Sequence, residues 1–164
     1  TCYRNRLGAI IVRDDQIVST GYVGAPRKTK DCFERQNCLR TKLGIAHGQR
    51  YEICRSVHAE MNAIINASRA GVSVLGGIMY IWGEDASTGN LIDAFPCFMC
   101  KRLIINAGLE KVIAKTKKGV KIFKVSDWAR EWQIKDIIDD RHQYGSSRSI
   151  VDEKYLKRVR KKIE

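Results

Sequence analysis

Two runs of strong helix formers in this chain open on residues that bind metals. Val57 to Ala70 begins with His58-Ala59-Glu60, and Phe98 to Ala107 follows Pro96-Cys97 and carries Cys100. Both lie after strand-like or irregular stretches, so the candidate ligands sit at helix starts and not in the middle of a buried face. A fold that uses both sets must bring two helix N-termini to one place.

The rest of the pattern says how. Leu7 to Val12 is an apolar run rich in β-branched residues, Asp14-Asp15 is turn chemistry, and Gln16 to Thr20 follows as a second strand, which predicts a β-hairpin. Gly71 closes the first long helix and Gly108 the second. Gly77 to Trp82 and Lys111 to Lys115 read as strands, Val120 to Val125 as a fifth, and Gly83 to Ala94 as a polar loop. Trp128 to Asp140 and Asp152 to Ile163 read as terminal helices within a C-terminal part spanning 125–164. Strands alternating with helices predict an α/β fold, a mixed sheet of about five strands covered on both faces. Gly21 to Glu52 is irregular, with only Asn37 to Lys42 briefly helical, and a stretch so poor in periodicity needs another source of order.

Composition bounds the function classes. A length of 164 residues, with no repeat or linker, predicts a single domain over 1–164, and 44% hydrophobic residues with two prolines excludes disorder and low complexity. No apolar run approaches the ~20 residues of a membrane-spanning helix. The chain opens on Thr1 without an initiator Met or a charged-then-apolar leader, which predicts numbering that begins inside a longer gene product. Six cysteines without a secretory signal favour reduced thiols and metal ligation, and place the protein in the cytoplasm. The net charge of +12 suits a polyanion or a phosphorylated small molecule equally.

His58, Cys97 and Cys100 have the H-x-E and P-C-x-x-C spacing of zinc deaminases. Thiolates at a helix start are stabilised by the helix dipole, and three protein ligands leave a fourth tetrahedral position for water, the mark of a catalytic zinc. Glu60 lies about 200° around the helix from His58, so its carboxylate hangs beside the metal position as an acid-base group and not as a fourth ligand. The bland reading makes HAE an ordinary helix start and the CxxC part of a zinc ribbon. The remaining cysteines, Cys2, Cys32, Cys38 and Cys54, flank or lie within the irregular stretch, where a second, closed zinc would order it. His47 in place of Cys2 is the competing fourth ligand, and a stretch without metal is the third reading.

The segments TCYRNRLGAIIV, GYVGAP, CLRTKLG, YEICRSVHAEMNAI and PCFMCKRLIINAG together resemble the deoxycytidylate (dCMP) deaminase family of the cytidine deaminase superfamily, over Thr1 to about Lys115. The resemblance implies a three-layer α/β/α fold, with a helix before the segment matching Thr1-Cys2. It also implies hydrolysis of dCMP to dUMP and ammonia, activation by dCTP, inhibition by dTTP, and a homo-oligomer, often a hexamer. It puts the catalytic zinc on His58, Cys97 and Cys100, the proton shuttle on Glu60 and a phosphate contact on Arg4, which reads equally as a solvated hairpin charge. Val23 stands where the family has the Asn of its GYNG loop, and an apolar side chain cannot make that sugar contact. The Gly83 to Asp93 stretch also departs from the family by its length. With Arg4, the substrate-binding set comprises Val23, Ala59 and the cations Lys117 and Lys118, with Arg27, Lys28 and Lys30 nearby.

Two other functions compete with a nucleotide deaminase. One is deamination of a base in RNA or single-stranded DNA, argued from the charge and the basic tail Lys154 to Lys162, whose Tyr155, Val159 and Ile163 instead suggest a packed helix with a solvated lysine face. The other is a non-catalytic zinc-binding or DNA-uptake accessory protein, against which the intact HAE and PCxxC argue.

Overall fold

The structure, a computed structural model, describes residues 1–45 and 50–134. Strands β1 (Asn5–Arg13) and β2 (Gln16–Tyr22) form the expected hairpin. Its turn residues Asp14 and Asp15 adopt φ of 51° and 57°, the left-handed pair whose twist suits a two-residue hairpin loop. After the irregular excursion, which holds only the short helix α1 (Leu39–Lys42) and a 3-10 turn at Tyr51–Ile53, come helix α2 (Ala59–Arg69) and strand β3 (Ile78–Asp85). Helix α3 (Phe98–Asn106), strands β4 (Lys111–Thr116) and β5 (Gly119–Lys124), and helix α4 (Val125–Ile134) complete the described chain.

The sheet order is β2-β1-β3-β4-β5, with β3–β4 parallel and every other pair antiparallel. A parallel pair needs a crossover, which α3 supplies. This mixed five-stranded α/β sheet is the architecture expected. Alternate residues of the central strands, Ala9, Ile11, Met79, Ile81, Val112 and Ala114, are buried. All but Ala114 belong to one apolar cluster with Ala59, Ala63 and Ala67 of α2 and Ile104 of α3. The small alanine face lets α2 lie close to β1 and β2, and Ser19 of β2 fastens it by donating its hydroxyl to the Ala63 carbonyl at 2.6 Å. On the opposite face of the sheet Tyr80, Trp82, Val120 and Ile122 are exposed.

Several boundaries differ from the sequence reading, and three bear on the site and its frame. β3 runs on through Gly83, Glu84 and Asp85, because β1 extends beside it and pairs Leu7 with Gly83 and Asn5 with Asp85, while Arg6 bridges Glu84 at 2.9 Å. α4 starts at Val125, ahead of the expected Trp128, and its first amide is anchored on the Glu110 carbonyl at 3.0 Å. Only Leu39–Lys42 of the expected 37–42 segment is helical. The expected helix over 152–163 and the end of the one over 128–140 lie outside the described residues, as does His47. Among the described residues no helix is long and apolar enough to cross a membrane.

Candidate active site

His58 and Cys97 are the residues that cap α2 and α3. Each has an extended backbone, with φ/ψ of −72°/155° and −71°/168°, and each carbonyl accepts the first helical hydrogen bond, from Asn62 and Lys101 respectively. Neither side chain is used as a helix cap, so both turn toward the space between the helices. His58 Nδ1 stands 3.2 Å from Cys97 Sγ and 3.4 Å from Cys100 Sγ, and the two sulfurs are 3.5 Å apart. Tetrahedral zinc with ordinary bond lengths would hold N and S donors ~3.6 Å apart and S and S ~3.8 Å apart. The three donors therefore fit a zinc ion with a few tenths of an ångström of expansion.

The three donors and Glu60 perturb one another's protonation. The Cys97 thiol is pushed down to about 4, chiefly by the hydrogen bond from Cys100, with His58 adding to it against the effect of burial. Cys100, which shares that contact and is itself buried, is pushed well up. Burial pulls the His58 imidazole down, but its contact with Cys97 more than offsets this and leaves it above its ordinary value. Glu60, in the first turn of α2 and 3% exposed, is raised by burial, with the His58 charge acting in the opposite direction. A carboxyl lifted in this way holds a proton more readily than an exposed glutamate does, which suits a group that must both take up and release one.

Glu60, His58 and Cys97 line a cavity of about 160 Å³. Arg4, Val23 and Ala59, all expected to meet substrate, line it too. Lys117 and Lys118 do not: they are exposed in the β4–β5 turn, and that turn reaches the cavity only indirectly, where the Lys117 amide donates to the Asp93 carboxylate at 2.8 Å. Asp93 and Ile92 arrive at the wall because the 83–93 stretch folds back on β3, with the Ile92 amide donating to the Gly83 carbonyl and Leu91 bridging Glu84. Sequence reasoning missed Asp93, Tyr51 and Arg40 as lining residues. The signal for Arg40 and Tyr51 was their place in CLRTKLG and YEICRSVHAEMNAI; Asp93 sits in a segment without periodicity.

All six cysteines are free thiols. His58, Cys97 and Cys100 form the only group of three or more metal-binding side chains with converging donors among the described residues. Cys2, Cys32, Cys38 and Cys54 are not drawn together to that degree. Three of them are nonetheless neighbours: burial raises the Cys32 thiol first, and the nearby Cys2 and then Cys38 raise it further. Cys2 and Cys54 also reach the wall of the cavity that Glu60 lines.

The family model described as the cytidine and deoxycytidylate deaminase zinc-binding region matches residues 1–116. A deoxycytidylate deaminase of Schizosaccharomyces pombe is 30% identical over 115 residues, which is 70% of this chain and 32% of that one. The deoxycytidylate deaminase of Mycobacterium phage D29 is 32% identical over 117 residues, 68% of this chain and 79% of the phage protein. ComE operon protein 2 of Bacillus subtilis is 33% identical over 112 residues, 68% of this chain and 49% of the relative. The chain thus spans about a third of the length of the fission-yeast relative and most of the phage one. With its matched residues holding both the HAE and the PCxxC segments, the chain belongs to the cytidine and deoxycytidylate deaminase zinc-binding family.

Proposed function

We propose that this protein deaminates dCMP hydrolytically, releasing dUMP and ammonia. The observation that carries the reading is the convergence of His58, Cys97 and Cys100 in the same cavity as the buried Glu60. Zinc held by those three side chains supplies the Lewis acidity that makes water a nucleophile near neutral pH. Glu60 is the group that moves protons. Its carboxylate takes one from the attacking water and delivers it to the ring nitrogen N3, then takes the second from the hydroxyl added at C4 and passes it to the departing amine as the C4–N bond breaks and the C4 carbonyl forms. Arg4 on the cavity wall supplies a bidentate donor for the phosphate.

Further parts of the reading rest on the same base. A second, closed zinc would be held by Cys2, Cys32, Cys38 and Cys54, or with His47 in place of Cys2, and would order the excursion between β2 and α2. We place the protein in the cytoplasm, as one domain over 1–164 that assembles with itself, a hexamer being favoured, and that responds to dCTP and dTTP. The single apolar cluster shared by sheet and helices supports one domain. Lys117 and Lys118 are kept only as outer cations that a phosphate passes on its way in.

Incubating the zinc-loaded chain separately with dCMP, deoxycytidine, dCTP and a cytosine-containing oligonucleotide, and following ammonia release, tests the substrate. Fastest turnover of dCMP is expected. Faster turnover of the oligonucleotide would replace the nucleotide reading with deamination of a nucleic acid base, and no turnover of any of them would leave a zinc-binding accessory protein.

A further inference from the structure

Arg40 is 5% exposed, although it lies on the four-residue helix α1 in the least regular part of the chain. Few arginines are buried to that degree, because a charge taken out of water must be answered by other groups. Its guanidinium carbon sits 4.5 Å above the centre of the Tyr51 ring, and the Tyr51 ring meets the His58 imidazole edge-on at 5.1 Å. Arg40 is thus one aromatic ring away from a residue at the reacting end of the cavity, and it lines that cavity alongside Glu60. Stacking on a ring fixes the plane of a guanidinium and so the direction of its fork, the form in which arginine recognises phosphate.

A second guanidinium lines the same cavity, and it is coupled to the same helix. Arg4 Nε donates to the Thr41 hydroxyl at 2.9 Å, so Arg4 is braced by the residue next to Arg40. The helix is in turn closed by the Ile45 amide, which donates to the Arg40 carbonyl at 2.9 Å. Two fixed guanidiniums and one proton-moving carboxyl in a cavity of about 160 Å³ describe a site for a small molecule that is reactive at one end and anionic at the other.

We propose that Arg40 is a specificity-determining residue: its guanidinium, stacked on Tyr51 in the wall of the Glu60 cavity, receives the substrate phosphate together with Arg4. The identity of that substrate rests on the deaminase reading above; the binding of the anion does not.

The test uses the zinc-loaded full chain, as wild type, Arg40→Gln and Arg40→Lys, with two readouts. The first is the ratio of kcat/KM for dCMP to that for deoxycytidine. The second is calorimetric titration with inorganic phosphate. Loss of one charge-assisted contact is expected to lower the ratio by roughly tenfold to a hundredfold in Arg40→Gln, mainly through KM for dCMP, and to weaken phosphate binding in step. Arg40→Lys, which keeps the charge but loses the planar fork, is expected to fall between. An unchanged ratio or unchanged phosphate affinity overturns the proposal. If Arg40→Gln does not fold, Arg40→Lys decides by the same two measurements. If the wild type turns over no cytosine compound, the deaminase reading fails, and the phosphate titration still decides the role of Arg40.

Discussion

Gly21 of β2 touches the backbone of α2 at Ala63 so closely that a Cβ there would overlap the Ala63 amide nitrogen, and would meet the carbonyl carbon of Asn62 at 2.8 Å. Backbone atoms cannot rotate away as a side chain can. Gly21→Ala must therefore push α2 off the sheet, at a cost of ~3 kcal/mol or more. Urea denaturation should show the loss as a lower midpoint. Gly8→Ala is the control, since the nearest atom to a Cβ there is the Gly21 carbonyl oxygen at 4.0 Å, and it should leave the midpoint nearly unchanged.

Glu60→Gln keeps the shape of the buried side chain and removes its capacity to carry a proton. The expected result is a fall in kcat of ~10²–10⁴-fold with zinc content unchanged, read by ammonia release alongside elemental analysis of the same sample. Activity within tenfold of wild type would assign the proton transfers to another group.

Metal counting tests the proposed second zinc set, Cys2, Cys32, Cys38 and Cys54, separately from the first. Purified protein is expected to hold about two zinc ions per chain. Cys97→Ser should remove one ion and the activity together, whereas Cys38→Ser should remove the other and lower the melting temperature more than the turnover of the folded fraction. A count of one in the wild type would show that the excursion before α2 is ordered by contacts alone.

Asp85 ends β3 and organises the turn after it, accepting hydrogen bonds from the hydroxyls and amides of Ser87 and Thr88 on one carboxylate oxygen. The Ser87 hydroxyl is the largest cause that brings its pKa down to about 2, followed by the Thr88 and Ser87 amides. Because the folded value lies below that of an unfolded aspartate, ~3.9, the stability this turn contributes is complete above pH ~4 and is lost as the pH falls through about 2. Carboxyl-carbon NMR should give a midpoint for Asp85 near that value, and Asp85→Asn should flatten the acid limb of the stability profile. A midpoint near 4 would mean that the turn does not hold the carboxylate in solution.

The parts of this protein legible in its sequence are those whose causes are local. Apolar spacing marks α2 and α3, and the glycines that stop them, Gly71 and Gly108, have φ of 68° and 70°, which other residues adopt only with strain. The metal-binding candidates were legible because helix starts are written in consecutive residues. What depended on partners far along the chain was not. Glu84 and Asp85 are polar and read as loop, and become strand only because β1 lies beside them. Arg40 lies in the briefly helical 37–42 segment, where nothing local marks it as buried, and Tyr51, which covers its guanidinium, comes from another segment. Lys117 and Lys118 illustrate the converse: composition made them pocket cations, but the turn between β4 and β5 holds them outside the cavity lining.

The central position of β3 has a consequence for the order in which the molecule assembles. The β1–β2 hairpin closes on its own turn, but β1 gains its other neighbour only from far along the chain, as the Arg6–Glu84 pair, 78 positions apart, shows. Closing so long a loop is slow compared with hairpin formation. Helix α3, which brings Cys97 and Cys100, is tied to the sheet through the β3–β4 crossover, so these thiols reach His58 only after that late step. Until then they are open to oxidation, and refolding yield should depend on reductant more steeply than the stability of the finished fold does.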